Sequence, residues 1–263
     1  MIPKTIHYCW FGGNPKSDVI NQCIDSWKQL CPEYEIIEWN EENFDINICN
    51  YTKEAYGAKK WAFVSDYARI WILYNYGGVY LDTDVKLLKN LDDLLDNRAF
   101  MGVEAGGGVN TGLIVGSEKN INFFDELLCM YNKTSFVDSD GKLNLTSCVE
   151  YTTNILEKYG LSKDDKIQEI IGLTIYPMEY FSPLNHITGK VNITENSYSI
   201  HLYEGTWADD ITRYGYKLKW KYIERFGEVL GKKLYLFPYF GYILKNKGLK
   251  GVIQKVKSKL NGQ

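Results

Sequence analysis

The chain has 263 residues, 45% of them apolar and 15% aromatic, with a net charge of −3. Such a chain can bury a large core, which excludes a disordered or fibrous protein. No stretch approaches the roughly 20 uninterrupted apolar residues of a membrane span, and the start MIPKTIHYCWFGG lacks the basic and apolar regions of a secretory signal, so a soluble, cytoplasmic protein is expected. Six scattered cysteines without CxxC spacing read as reduced thiols rather than a zinc site or disulfide framework. No nucleic-acid partner is expected.

In chain order, residues 5–11 (TIHYCWF), β-branched and aromatic and closed by Gly12-Gly13, read as a central strand. An amphipathic helix over 17–30 and a strand over 34–39 follow, a β-α-β opening that predicts neighbouring parallel strands, the first half of a Rossmann-like nucleotide-binding sheet. Residues 61–76 are too densely apolar for a surface helix, and Gly77-Gly78 ends it. Val79-Tyr80-Leu81 is then a core strand. A short helix over 91–95, strands over 100–104 and 109–115, and a helix over 123–131 come next. A polar excursion over 136–146 leads to a helix over 148–159, and further strands are predicted over 167–176 and 198–201. The fold class is therefore α/β, with a mostly parallel central sheet flanked by helices.

Asp82 and Asp84 close the strand that follows the buried helix. If the segment stays extended, both carboxylates leave on one side, with Thr83 pointing away. A bare DxD is common and usually marks a solvated turn. At the end of a buried strand, however, two uncompensated carboxylates repel one another and favour a divalent cation. Gly106-Gly107-Gly108-Val109-Asn110-Thr111-Gly112 has the wrong spacing for a dinucleotide or P-loop fingerprint and precedes LIVG rather than a helix, so phosphates would be neutralised by the metal instead.

Asp66 and Arg69 share a face of the apolar helix. An intrahelical ion pair would contribute about 0.2–0.5 kcal/mol. Buried charge is costly unless paired or used, so the two could instead grip sugar hydroxyls. His201 ends a late strand, where a lone histidine is more often a satisfied core residue than a ligand. The following Tyr-Glu-Gly-Thr-Trp, with Thr206 and Trp207, reads as a glycine-hinged loop able to close over a ligand. Trp10, just before Gly12-Gly13, is either core or a platform for a base. Tyr80 on the strand and Asn110 in the glycine-rich segment complete the ligand-binding candidates.

IHYCWFGG near the start, AFVSDYARIWILYNYGGVYLDTD in the middle and HLYEGTW late together resemble the DxD-containing sugar transferases of capsular polysaccharide and lipopolysaccharide synthesis. That family is related to Golgi α-1,6-mannosyltransferases and to the glucosylating domain of large clostridial toxins. The resemblance covers residues 1–210. It implies a GT-A fold, a nucleotide-sugar donor such as a UDP-hexose, Mn²⁺ or Mg²⁺, and transfer with retention of anomeric configuration to a glycan or lipid-linked oligosaccharide. It also implies Asp82, Asp84 and His201 as metal ligands, Asp66 and Arg69 on the donor sugar, Trp10 on the base and Trp207 near the leaving phosphate. Thr206 stands where the family often has serine, and Leu202 where a second histidine is common.

Residues 211–263 form a second segment, helical and basic, with thirteen Lys or Arg against two acids; residues 1–210 carry 17 basic and 31 acidic groups. The tail fits either a helical cap or an amphipathic helix lying peripherally on an anionic membrane.

Overall fold

β1 (Thr5–Cys9) lies second from the edge of the main sheet, between β2 (Glu35–Trp39) and β3 (Gly78–Leu81), parallel to both. The computed structural model describes residues 1–205 and 208–260, the last four by backbone alone. The connection from β1 to β2 is α1 (Asp18–Leu30), whose Ser17 caps the first turn by accepting from Ile20 N–H; α1 buries Ile20, Cys23, Ile24 and Trp27. The parallel β-α-β opening expected from the sequence is thus present. Two helices precede β3: α2 (Asn50–Gly57), which is too poor in apolar residues to show a periodic signal, and α3 (Trp61–Tyr76).

α3 is the central helix. Val64, Tyr67, Ala68, Ile70, Ile72 and Leu73 are buried on it, each large apolar side chain contributing about 1.5–3 kcal/mol of burial. Gly77 ends it at φ 66° and ψ −161°, a combination that glycine alone takes without strain. Gly78 follows at φ 96°, where a Cβ would stand 2.8 Å from Thr5 O and 2.9 Å from His7 Nε2. The helix-to-strand turn therefore needs both glycines, and it delivers β3 hard against β1.

The sheet continues through β7 (Ile114–Ser117), β5 (Ala99–Val103), β9 (Leu173–Tyr176) and β8 (Gln168–Ile170), in the order β2-β1-β3-β7-β5-β9-β8, with β6 (Val109–Asn110) paired to β5. β7, β6 and β8 run antiparallel to their neighbours, so five of the eight strands share one direction. Helices α4 (Asn122–Asn132), α5 (Cys148–Lys158) and the single turn α6 (Met178–Phe181) complete this layered α/β body.

Two expected strands are interrupted. Residues 109–115 divide into β6 and β7 around a turn closed by Leu113 N–H donating to Asn110 O (3.3 Å). Residues 167–176 fold back as the β8–β9 hairpin over Ile171 (φ 46°) and Gly172 (φ 80°), because two left-handed residues match the twist of the strands they join.

Outside the main sheet, β4 (Val85–Leu87) pairs antiparallel with β10 (Ser199–His201), setting His201 opposite Val85. This two-stranded sheet joins the stretch after the aspartates to a segment more than a hundred residues later.

The chain divides into two compact units, one of Met1–Leu184 with Asn192–Tyr203 and the other of Asn185–Val191 with Glu204–Gln263. In the second, α7 (Asp210–Phe226) is capped by Asp209, which accepts from Thr212 N–H (2.8 Å). Trp220 donates to His186 O (2.9 Å), and this ties residues 185–191 to α7. α8 (Glu228–Leu234) packs so closely on α7 that a Cβ on Gly231 would lie 2.5 Å from Ile223 Cα. α9 (Leu236–Leu260) is broken at Gly248 (φ 64°) and buries Tyr239 and Ile243 in a small apolar cluster with Tyr235, the residue between α8 and α9. Among the described residues, no helix is long and apolar enough to cross a membrane.

Candidate active site

The end of β3 carries the acids, and a turn sets their directions. Val85 N–H donates to Asp82 O (3.0 Å), so residues 82–84 curl instead of running extended. The extended geometry that would send both carboxylates to one side is not what the chain adopts. Asp82 points into the body towards α3, and Asp84 points towards β10.

Arg69 is the hub of the first group. Its side chain is 3% exposed, with Nη1 3.0 Å from Asp66 Oδ1 and Nη2 3.0 Å from Asp82 Oδ1. Tyr80 O–H donates to the same Asp82 oxygen (3.0 Å), and the guanidinium lies 5.0 Å from the centroid of the Tyr80 ring. The pair on α3 is therefore also a bridge between α3 and β3, which an isolated intrahelical pair would not be.

Burial pushes the Asp66 carboxyl up to about 6, with Arg69 pulling the other way. Burial and the Asp84 charge raise Asp82 as well, again against Arg69. Burial opposes the charge of Arg69 itself, but Asp82, Tyr80 and Asp66 outweigh it and hold the guanidinium firmly protonated.

Asp84 and His201 form the second group, with Nε2 and Oδ1 3.0 Å apart. The β4–β10 pairing makes this contact, and Leu202 N–H donating to Asp84 O (2.9 Å) reinforces it. Burial disfavours the imidazolium, but the neighbouring Asp84 carboxylate prevails and raises His201. The ring of Tyr203 lies 4.1 Å from that of His201, centroid to centroid.

A third set of side chains joins the first two, bringing Glu104, Ser182 and Cys148, which the sequence does not mark, to the predicted Asn110. Asn110 Nδ2 donates to Glu104 Oε2 (2.8 Å), and Asn110 Oδ1 accepts from Gly112 N–H (2.6 Å). Tyr203 O–H reaches the same Glu104 oxygen (3.3 Å) and shares a hydrogen bond with Ser182 (2.8 Å). Cys148 Sγ lies 3.5 Å from Arg69 Nη1. Gly112 is the tightest point: a Cβ there would stand 2.2 Å from Asp82 Oδ2, 3.0 Å from Asn110 Oδ1 and 3.2 Å from Arg69 Nη1. The last glycine of the glycine-rich segment thus makes room for an aspartate, not for a phosphate.

Asp66, Arg69, Tyr80 and Asp82 accordingly share one network and Asp84 and His201 another, and Asn110 lies between them, reaching the first through Cys148 Sγ (3.9 Å) and the second through Glu104 and Tyr203. Trp10 makes its own contacts, donating from Nε1 to Asn14 O (2.7 Å) with Lys16 Nζ 5.5 Å from its ring. Thr206 and Trp207 lie outside the described residues.

A resident divalent cation can be tested against these donors. Among the described residues, no three acid, histidine or cysteine side chains converge as a cage. Asp84 and His201 nevertheless offer a carboxylate and an imidazole side by side, a donor set suited to Mn²⁺ more than to Ca²⁺. His201 Nδ1 is buried and has no hydrogen-bond partner among the described residues. These two residues fit the ion. One oxygen of Asp82, by contrast, is already occupied by Arg69 and Tyr80.

Residues 17–101 match the family described as the glycosyltransferase sugar-binding region containing DXD motif. The chain is 32% identical over 124 residues to inositol phosphoceramide mannosyltransferase 3 of Schizosaccharomyces pombe, a match covering 43% of this chain and 33% of that protein. It is 30% identical over 172 residues to the uncharacterized glycosyltransferase L373 of Acanthamoeba polyphaga mimivirus, covering 59% of this chain and 67% of the other. The match therefore spans about a third of the mannosyltransferase and two thirds of the viral protein. Among solved structures, the PaToxG glycosyltransferase superposes with a TM-score of 0.44 at 18% identity, over 60% of this chain and 69% of that one.

Proposed function

The chain belongs to the glycosyltransferases whose sugar-binding region contains the DXD motif, and from that premise we propose that it transfers a hexose, with retention and with the help of Mn²⁺ or Mg²⁺, from a nucleoside diphosphate sugar to a glycan or lipid-linked acceptor in surface polysaccharide synthesis. The observation that carries this reading is the division of labour at the end of β3, where Asp82 joins Arg69 and Asp66 while Asp84 joins His201.

Asp84 and His201 would hold the ion, which when bound would supply positive charge to the departing diphosphate as a Lewis acid. Asp66 and Arg69, locked on the rigid α3, would receive sugar hydroxyls. A guanidinium held by two carboxylates keeps its orientation, so it can offer hydrogen bonds to a sugar without having to be ordered first. Trp10 would stack on the base. Within this network no side chain stands apart as a covalent nucleophile, which favours attack on the face from which the diphosphate departs.

UDP-galactose and UDP-glucose are the donors suggested by the resemblance in the sequence. The named function of the fungal relative, mannosyl transfer to an inositol phosphoceramide, adds a mannose donor and supports a lipid-borne acceptor. The deciding experiment offers each of UDP-galactose, UDP-glucose and GDP-mannose with Mn²⁺, with and without glycan and glycolipid acceptors, and reads the anomeric configuration of the product by NMR. One donor should be consumed only with an acceptor and give a retained product. Consumption unchanged by any acceptor would make the protein a nucleotide-sugar hydrolase, and an inverted product would overturn the stereochemistry.

A further inference from the structure

After Glu228 the chain contains eight lysines and no acid. α9 carries most of them, and its two faces differ sharply. Tyr239 and Ile243 lie on one stripe and are buried, in line with Tyr235 just before the helix and joined beyond the kink by Gly251, whose added Cβ would meet Lys247 and Ile243. On the opposite stripe Phe237 is 77% exposed and Leu244 51% exposed, with Gly241 between them at helical spacing. The helix breaks at Gly248, and the pattern then resumes with Leu249, 66% exposed, followed four and seven residues later by the exposed Ile253 and Val256. At 100° per residue each set falls on one side of its helix, and Lys245 and Lys250 stand about a quarter-turn away.

A helix that only capped its own unit would have no use for a second apolar stripe. Apolar side chains at this spacing, turned to solvent in both halves of a broken helix, need a cover. The charge identifies it. Two copies of this chain meeting through the same face would bring lysines against lysines with no acid on α9 to answer them. An anionic lipid surface offers negative headgroups to the flanking lysines and acyl chains to the stripe.

We propose that the outward stripe of α9, Phe237, Leu244, Leu249, Ile253 and Val256, docks on an anionic lipid bilayer, lying in the interface rather than spanning it. The break at Gly248 lets each half settle separately, and no helix among the described residues is long and apolar enough to cross. This inference stands on the second compact unit alone and does not depend on which sugar is transferred.

The test is co-sedimentation of the full chain with vesicles of phosphatidylcholine alone or of phosphatidylcholine and phosphatidylglycerol at about three to one. Partition should be at least about tenfold greater on the anionic vesicles and should fall about tenfold as salt rises from about 0.05 to about 0.5 M. The paired substitution Phe237→Ser with Leu249→Ser should lower vesicle binding about tenfold while leaving the circular dichroism and melting temperature unchanged, because both side chains are exposed. Lys245→Gln with Lys250→Gln should weaken binding to the anionic vesicles and remove much of its salt dependence. Failure of the wild type to pellet with anionic vesicles would overturn the proposal. Equal pelleting of the serine variant would do the same. So would a wild-type dimer in sedimentation velocity that the serine pair dissociates, since the stripe would then be covered by a second copy.

Discussion

Replacing Arg69 with methionine tests whether the buried cation holds the site together. Methionine keeps most of the length of the side chain and removes the charge, leaving Asp66 and Asp82 without the nitrogens 3.0 Å away. Stranding one partner of a buried ion pair costs about 3–5 kcal/mol. Asp66 should show most of that cost. The Asp82 side chain is 26% exposed and keeps the Tyr80 hydroxyl, so its share should be about 1 kcal/mol or less. We expect a loss of about 4 kcal/mol at about pH 8, measured by urea unfolding.

Acid should return part of it. Asp66 sits at about 6 in the folded protein against 3.8 in an unstructured chain. The folded state therefore holds that proton more tightly, and stability falls as pH rises through this window. Removing Arg69 takes away the charge that pulls Asp66 down, so the deficit of the variant should shrink by about 1–2 kcal/mol between about pH 8 and about pH 5. A loss below about 1 kcal/mol at pH 8, or one independent of pH, would mean that water already solvates these carboxylates and would refute the account of the hub.

Gly112→Ala should abolish transfer while lowering the melting temperature little, because the new methyl would meet Asp82 Oδ2 at the edge of the site and push it off Arg69; retained turnover would show that Asp82 can shift without consequence. His7 accepts the Trp39 indole N–H at Nδ1 (3.1 Å) and donates from Nε2 to Gly77 O (3.0 Å), and burial lowers it from 6.5 to about 4. The unfolded chain therefore takes up this proton first, so His7 should cost about 3 kcal/mol of stability as pH drops from about 6.5 to about 4, opposing the gain from Asp66 over the same range, and an NMR titration showing His7 already protonated in the folded protein at about pH 6 would contradict the neutral assignment. Asp84→Asn should weaken Mn²⁺ binding in calorimetry more than Asp82→Asn does, whereas Asp82→Asn should cost more folding stability; equal effects on both readouts would mean that the aspartates act as a single pincer.

The helix α3 and its glycine stop were legible because sixteen densely apolar residues ending in two glycines leave few alternatives, and a charged pair inside such a run stands out. β4 was not, because three residues carry too little alternation to be seen and their partner β10 lies more than a hundred residues away. The turn at Asp82–Asp84 was hidden for a related reason. An acid-threonine-acid segment can run extended or curl, and the choice is made by Arg69 on one side and His201 on the other. Glu104, Gly112 and Cys148 join the site only through the fold: the contact of Cys148 with Arg69 spans 79 positions. No local pattern marks such a residue.

An acid pair at the end of a buried strand invites a counter-charge, and the protein supplies two of its own. Arg69 neutralises Asp82 from α3, and His201 approaches Asp84 from β10. Mutual repulsion of the aspartates is therefore a weak argument for a bound cation here. The stronger argument is the chemistry of the second pair, a carboxylate beside an imidazole whose other nitrogen is buried with no partner among the described residues. Asp82, held by a guanidinium and a phenol, belongs with the residues proposed to meet the sugar. The spacing of the motif thus serves separation as much as convergence: one intervening threonine in a turn is enough to turn adjacent acids towards different elements, so that each can be tuned by its own neighbour.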